Sequence, residues 1–237
     1  MGGGALVAPA LYVILGMTYT EAVAASLVYS VFTKIVGFAQ HLRLGTVLWR
    51  MALLYGVPAI PGAIIGSQLL YAFESSERLF ALVMSGVLVL VAVFLLLEAN
   101  IKRIGDREKP LDPDHVGLRG GIVIGLIAFA VGILLGITSV GSGGIIILTM
   151  VLLFRMSARQ VVGTNIAIAL VMVIPAGLSH FASGGVRVPV LLLLLLGSVF
   201  GTVLGSRATM IVPDRGLKIL MSALILISAI ATVLRAW

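Results

Sequence analysis

The chain is written twice. Met17, His41, Gly45, Gly62, Gly66 and Ser67 recur at a constant offset of 139 as Met156, His180, Gly184, Gly201, Gly205 and Ser206. A Gly-Gly before an apolar run opens each copy, at Gly3–Gly4 and at Gly143–Gly144, where the offset is 140. The repeat sits in a chain that is 60% hydrophobic and 11% charged. Soluble chains average about 25% charged residues, so these 237 residues cannot clothe a soluble surface. They are expected to form one all-α polytopic membrane domain. Repeats in such chains are a signature of membrane transporters, in which the substrate lies where the copies meet.

A helix needs about 20 apolar residues to cross the hydrocarbon layer. Stretches of that length fall near 20–40, 48–71, 78–98, 118–138, 158–180, 188–211 and 216–235. Two apolar stretches, about 4–16 and 144–154, are short, follow glycines and end near Met17 and Met156. That is the pattern of broken or re-entrant helices, which must be sheltered inside protein because lipid offers no hydrogen bonds. The division expected is a first repeat over 1–98, a solvated cytoplasmic linker over 99–119 and a second repeat over 120–237. The run 118–138 has no counterpart ahead of Gly3–Gly4, so a lost or late-assigned start is expected for the first copy. Met1 leads into glycines without a basic stretch, and no cleavable signal peptide is expected.

Loop charges orient the copies. An inverted arrangement puts Arg43, Arg50, Lys102, Arg103, Arg107, Lys109, Arg119, Arg155, Arg159, Arg207, Arg215 and Lys218 on one side. Only Arg78, Arg187 and Arg235 fall on the other, with Lys34 inside a span. A parallel arrangement splits the same fifteen six to nine. Basic loops stay cytoplasmic, so inverted repeats with a cytoplasmic linker and an outside C-terminus are expected. The conclusion holds whether 118–138 and 144–154 both cross or form a re-entrant hairpin. His41 then closes a helix near the cytoplasmic face, and His180 closes the equivalent helix near the outer face. The net charge of +7 follows from this bias, and no nucleic-acid partner is expected.

Several groups could carry chemistry. Backbone N–H groups are free at a helix N-terminus, and glycine lets an anion approach them. Gly3–Gly4 and Gly141-Ser142-Gly143-Gly144 could therefore form an anion site, or could simply allow close helix packing. Ser26 matches Asn165, which follows Thr164; these groups could bond an oxyanion or a neighbouring helix. Lys34 lies on one helix face with Ser26, Ser30 and His41, and its mate is Val173. It is either an anion's counter-charge or a lysine reaching for headgroups. His41 and His180 could gate the path and couple it to protons, or cap helix ends. Gly62-x-x-x-Gly66 and Gly201-x-x-x-Gly205 read as tight helix packing. With no cysteine, disulfides, thiolate-bound zinc and thiol catalysis are excluded. No Walker lysine motif, HExxH or GxSxG is present, so no enzyme, cofactor or metal is expected.

The Gly-rich breaks, Val162-Gly163-Thr164-Asn165 opening a helix, the histidine at its end followed by Gly and Val, and the small-xxx-small helix resemble the TauE/SafE sulfite exporter family, also called the toluenesulfonate uptake permeases. The likeness runs over nearly the whole chain in two copies. The first copy departs from it, reading Ala24-Ala25-Ser26 where Gly-Thr-Ser is usual. The resemblance implies a bacterial or archaeal inner-membrane permease for sulfite, sulfoacetate or another organosulfonate. It points to Gly3, Gly4, Ser26, Gly143, Gly144, Thr164 and Asn165 as the site. The function expected is export of a small sulfur oxyanion by alternating access. Uptake of a related organic anion and a non-transporting membrane scaffold are the rival expectations.

Overall fold

The structure is a computed structural model that describes residues 4–100, 116–140, 143–154, 156–211 and 214–237. Gly3, Ser142 and most of the expected linker, 101–115, lie outside the described residues. The elements are α1 (Gly4–Val13), α2 (Tyr19–Arg43), α3 (Trp49–Ala72), a 3-10 turn (Glu74–Ser76), α4 (Glu77–Asn100), α5 (Leu118–Thr138), α6 (Gly144–Leu153), α7 (Ala158–Ala182), α8 (Val188–Ile211) and α9 (Asp214–Ala236). Six of these helices carry segments long and apolar enough to cross a membrane. The chain is an all-α polytopic membrane protein.

The duplication extends to helix boundaries. Both α1 and α6 have 10 residues, α2 and α7 have 25, and α3 and α8 have 24. Local chemistry repeats with them. Thr18 caps α2 in a capping box with Glu21, and Ser157 caps α7 with Gln160, again at the offset of the repeat. Each box satisfies two N–H groups that the first helical turn leaves bare. The loops after α2 and α7 turn at Gly45 (φ 62°) and Gly184 (φ 75°), a left-handed conformation that glycine adopts without penalty. Removing one cap oxygen, in Ser157→Ala, should lower stability by about 1 kcal/mol, readable as an earlier thermal unfolding midpoint in detergent.

Mates run antiparallel. On α2 and α7, Gly177 lies against Val31 and Gly37 against Ile166. On α4 and α9, the Ser85 hydroxyl donates to the Ala229 carbonyl at 3.2 Å, and Arg78 lies over the Trp237 ring. α2 and α4 begin at the same face, since the Tyr19 N–H donates to Glu77 Oε1 at 2.6 Å; this is the Glu77 face. Arg50, at the start of α3, marks the opposite face.

The helix without a mate, α5, runs parallel to α3, backbone against backbone. A Cβ at Gly62 or Gly66 would collide with the carbonyls of Phe129 and Ile133, and a Cβ at Gly132 with that of Ala59. The tight packing expected of Gly62 and Gly66 is thus found, with α5 as the partner. At Gly201, the mate of Gly62, nothing lies within 4 Å.

α5 stops inside the protein. Its C-cap Ser139 is buried, and the Ser139 hydroxyl donates to Ser26 Oγ at 2.9 Å. Ser26 lies seven residues into α2, about 10 Å below the Glu77 face at 1.5 Å per residue. α6 then runs back. Gly144 packs on Val91, near the middle of α4, and the Tyr55 hydroxyl, in the second turn of α3, donates to Thr149 at 3.1 Å. Of the two arrangements left open by the sequence, α5 and α6 form the re-entrant hairpin.

Candidate functional site

A helix that ends in the interior must satisfy its last carbonyls by other means. α5 does so with side chains from both copies. Leu135 O accepts the Ser139 N–H at 2.7 Å, Gly136 O pairs with His180 Nε2 at 3.1 Å, and Ile137 O accepts the Tyr19 hydroxyl at 3.1 Å. Thr138 Oγ1 donates to Leu134 O at 2.6 Å and accepts the Val140 N–H at 3.1 Å. Ser139 takes φ 58°, an uncommon conformation for a residue with a side chain. The C-terminal end of α5 is therefore a hydrogen-bonded polar feature of the interior, with Thr138, Ser139, Val140 and Ser26 all buried.

The two histidines have diverged. His180 is fully buried and engaged at both ring nitrogens. A carbonyl only accepts, so Nε2 donates to Gly136 O, and Nδ1 is left to accept the Tyr71 hydroxyl at 3.0 Å. Tyr71 reaches it because position 185 is glycine; a Cβ there would strike the Tyr71 hydroxyl. The equivalent position in the first copy is Thr46, and His41 Nδ1 bonds to Thr46 Oγ1 at 2.9 Å instead. His180 thus joins α3, α5 and α7, while His41 bonds within its own turn. Tyr71→Phe should cost about 1 kcal/mol by leaving a buried nitrogen unpaired. Thr46→Val, its partly buried counterpart, should cost less; thermal unfolding of both variants checks the contrast.

The expected binding residues do not form one cluster. Ser26 joins the α5–α6 break. Asn165 lies seven residues into α7, which runs antiparallel to α2, so it stands near the Arg50 face. The contacts between α2 and α7 place Asn165 beside the end of α2, about 20 Å from Ser26 by helix rise. Thr164 is buried there, and its Oγ1 accepts the Leu48 N–H at 2.9 Å. Asn165 is 7% exposed, and its Oδ1 is enclosed without a hydrogen-bond partner. Buried polar atoms are nearly always paired, so the unpaired acceptor oxygen of Asn165 marks a place for a water or another hydrogen-bond donor.

The glycines divide between the two roles open to them. Gly144 is needed for packing, since a Cβ would press on Val91, whereas Gly143 has nothing within 4 Å. The first N–H groups of α6 therefore begin at an open position. Lys34 is partly buried and makes no ion pair or hydrogen bond among the described residues. No group of three or more His, Cys, Asp or Glu that could hold a metal occurs among the described residues.

Two contributors carry little signal in the sequence. Ser139 precedes the glycine run and has no mate. Tyr71 meets a partner 109 residues away. The stripe Gly125, Gly132 and Gly136 on α5 is a readable sign of close approach to another helix.

Residues 1–232 match the family described as Sulfite exporter TauE/SafE. The chain is 32% identical over 235 residues to the Bacillus subtilis probable membrane transporter protein YjnA, covering 97% of this chain and 91% of that protein. It is 26% identical over 222 residues to the probable membrane transporter protein YunE of the same organism, covering 87% and 80%. No solved structure matches the chain.

Proposed function

The chain belongs to the sulfite exporter TauE/SafE family, and from that premise we propose that it exports a small sulfur oxyanion, sulfite or an organosulfonate, across the cytoplasmic membrane. That it is a multi-pass membrane transporter rests on the family and on relatives named as such. The substrate and direction are inferred. The copies act as inverted repeats: the antiparallel mates α2/α7 and α4/α9 support this, as does the placing of Arg43, Arg50, Arg119 and Arg159 at one face. That face is cytoplasmic by the positive-inside rule, which puts the C-terminus outside.

Two half-sites hold the anion in turn. One is the break between α5 and α6, with Ser26, Ser139 and the open N-terminus at Gly143. The other is Thr164 with Asn165, nearer the cytoplasm. Neutral hydroxyl and amide donors bind an oxyanion without locking it in, as a carrier requires. Gly4 opens the mate of α6 and takes the corresponding part in the first copy. His180 clasps the outer end of the α2–α7 crossing and His41 closes the inner end, so opening at either end engages one of them.

The observation that carries this reading is the buried Asn165 side chain, which no hydrogen bond among the described residues holds, at the position where the family resemblance places a ligand contact; its Nδ2, not the unpartnered acceptor Oδ1, would donate to the anion. Liposomes containing the purified protein and loaded with radiolabelled sulfite or methanesulfonate test it. Saturable efflux of either anion above protein-free liposomes is expected. Efflux indistinguishable from protein-free liposomes for both would overturn it.

A further inference from the structure

We propose that Lys34 is the substrate's counter-charge and stands on the axis that exchanges the two copies, so that one lysine serves both half-sites in turn. The proposal rests on the transport reading above and deepens it: the ligand must be an anion, and a neutral sulfur compound of the same shape is excluded.

The register between α2 and α7 places the residue. Contacts pair Val31 with Gly177, Gly37 with Ile166, Ala24 with Gly185 and Thr46 with Gly163. The residue numbers in each pair add to between 203 and 209, and mates differ by 139. A residue that meets its own mate must then be numbered between 32 and 35. Four mate pairs satisfy this, 32–35 with 171–174, and Lys34 with Val173 is the one that carries a charge. Position 34 also lies midway along the helix face that runs from Val31 to Gly37, both of which touch α7.

The surroundings make this charge unusual. Lys34 lies well inside α2, more than two turns from either Tyr19 or Arg43 at its ends. Every other charged residue in the described helices lies within five residues of a helix end. Val173 is buried and apolar, so the axis carries one charge and not two. The described carboxylates near α2 are occupied at the Glu77 face: Glu21 pairs with Arg187 at 2.7 Å, and Glu77 holds the Tyr19 N–H. An unpaired cation within the membrane is costly unless something neutralises it, and a passing anion does so. Ser26 is eight residues from Lys34 on α2, and Asn165 is eight residues from Val173 on α7. The lysine therefore stands between the two neutral half-sites, the position from which one flexible cation can follow an anion from either to the other.

The test uses methanesulfonate and its uncharged isostere dimethyl sulfone in liposomes. Wild type is expected to move methanesulfonate and leave dimethyl sulfone at the protein-free rate. Lys34→Met should lose methanesulfonate transport by at least about a hundredfold, as expected when one partner of a buried charge pair is removed, and Lys34→Arg should retain most of it. The exchange variant Lys34→Val with Val173→Lys should restore transport, because both positions address the same point. Unimpaired transport by Lys34→Met, or an exchange variant as inactive as Lys34→Met, would overturn the proposal. If wild type moves neither methanesulfonate nor sulfite, the transport reading fails separately. The chain has no cysteine, so Lys34→Cys can then be probed alone with anionic sulfonatoethyl methanethiosulfonate. Modification from water supports an anion path at position 34, and complete protection overturns it. A disulfide that forms in the Lys34→Cys, Val173→Cys double variant verifies the axis, and its absence under oxidant contradicts it.

Discussion

Gly136→Val should abolish the folded protein. A Cβ at Gly136 would lie 2.5 Å from Ala63 O and 2.6 Å from Ser67 N. Both are backbone atoms of α3 and cannot rotate away as a side chain end would. Overpacking a core usually costs about 1–3 kcal/mol, with relaxation absorbing the rest. Here relaxation means separating α3 from α5 along a seam that also holds Gly62, Gly66 and Gly132. It would also pull Gly136 O away from His180 Nε2, leaving two buried polar groups unpaired. Total stability is typically about 5–15 kcal/mol, and the combined loss takes most of it. Size-exclusion chromatography of detergent extracts should show almost no monodisperse protein. Gly86→Ala is the matched control: nothing lies within 4 Å of Gly86, and in a helix alanine is favoured over glycine by about 1 kcal/mol. A normal, monodisperse Gly136→Val protein would mean that α3 and α5 are not in backbone contact.

Asn165→Ala should separate transport from stability. The Asn165 Oδ1 is buried without a partner, so its removal breaks no internal bond. Leaving a buried polar group unsatisfied costs about 1–3 kcal/mol, and alanine relieves that cost. The variant should therefore unfold no earlier than wild type. If the Asn165 Nδ2 donates to the anion, transport should fall about ten- to hundredfold, the worth of a hydrogen bond to a charged group at roughly 1.5–3 kcal/mol. A residue that packs the core would give the opposite pattern, lower stability with unchanged flux. Unchanged flux in a stable variant would remove Asn165 from the path. Ser26→Ala is a weaker probe, because it also breaks the bond to Ser139.

Much of this architecture can be read from spacing. Repeated Gly-Gly breaks and the Met, His and Gly positions locate the two copies, and helix boundaries follow the same offset. The tight Gly62-x-x-x-Gly66 seam is legible as a packing motif, although its partner is not, because α5 has no mate to compare. Likewise the sequence cannot choose between crossing and re-entry for α5 and α6. That choice depends on where the helix ends satisfy their carbonyls, and the donors, Tyr19 and His180, are remote in the chain. Symmetry also misleads in one respect. It invites Ser26 and Asn165 into a single pocket, yet antiparallel mates at equal depth lie at opposite ends of their crossing. Only a residue near the midpoint of the crossing can meet its own mate, which is why the proposed axis falls at positions 32 to 35 and not at Ser26. The divergence of His180 from His41 turns on Gly185 replacing Thr46, a difference that means little until Tyr71 is placed beside it.

The central claim is that a small oxyanion rests inside the membrane domain, where the two copies meet. Selenite, the heavier analogue of sulfite, tests it most directly. Anomalous diffraction from selenite-soaked crystals should show selenium between the α5–α6 break and Asn165, beside Ser26, Gly143 or Lys34, and this signal should vanish on soaking with excess sulfite. Selenium found only at exposed arginines, with the interior empty at saturating selenite, would contradict the account.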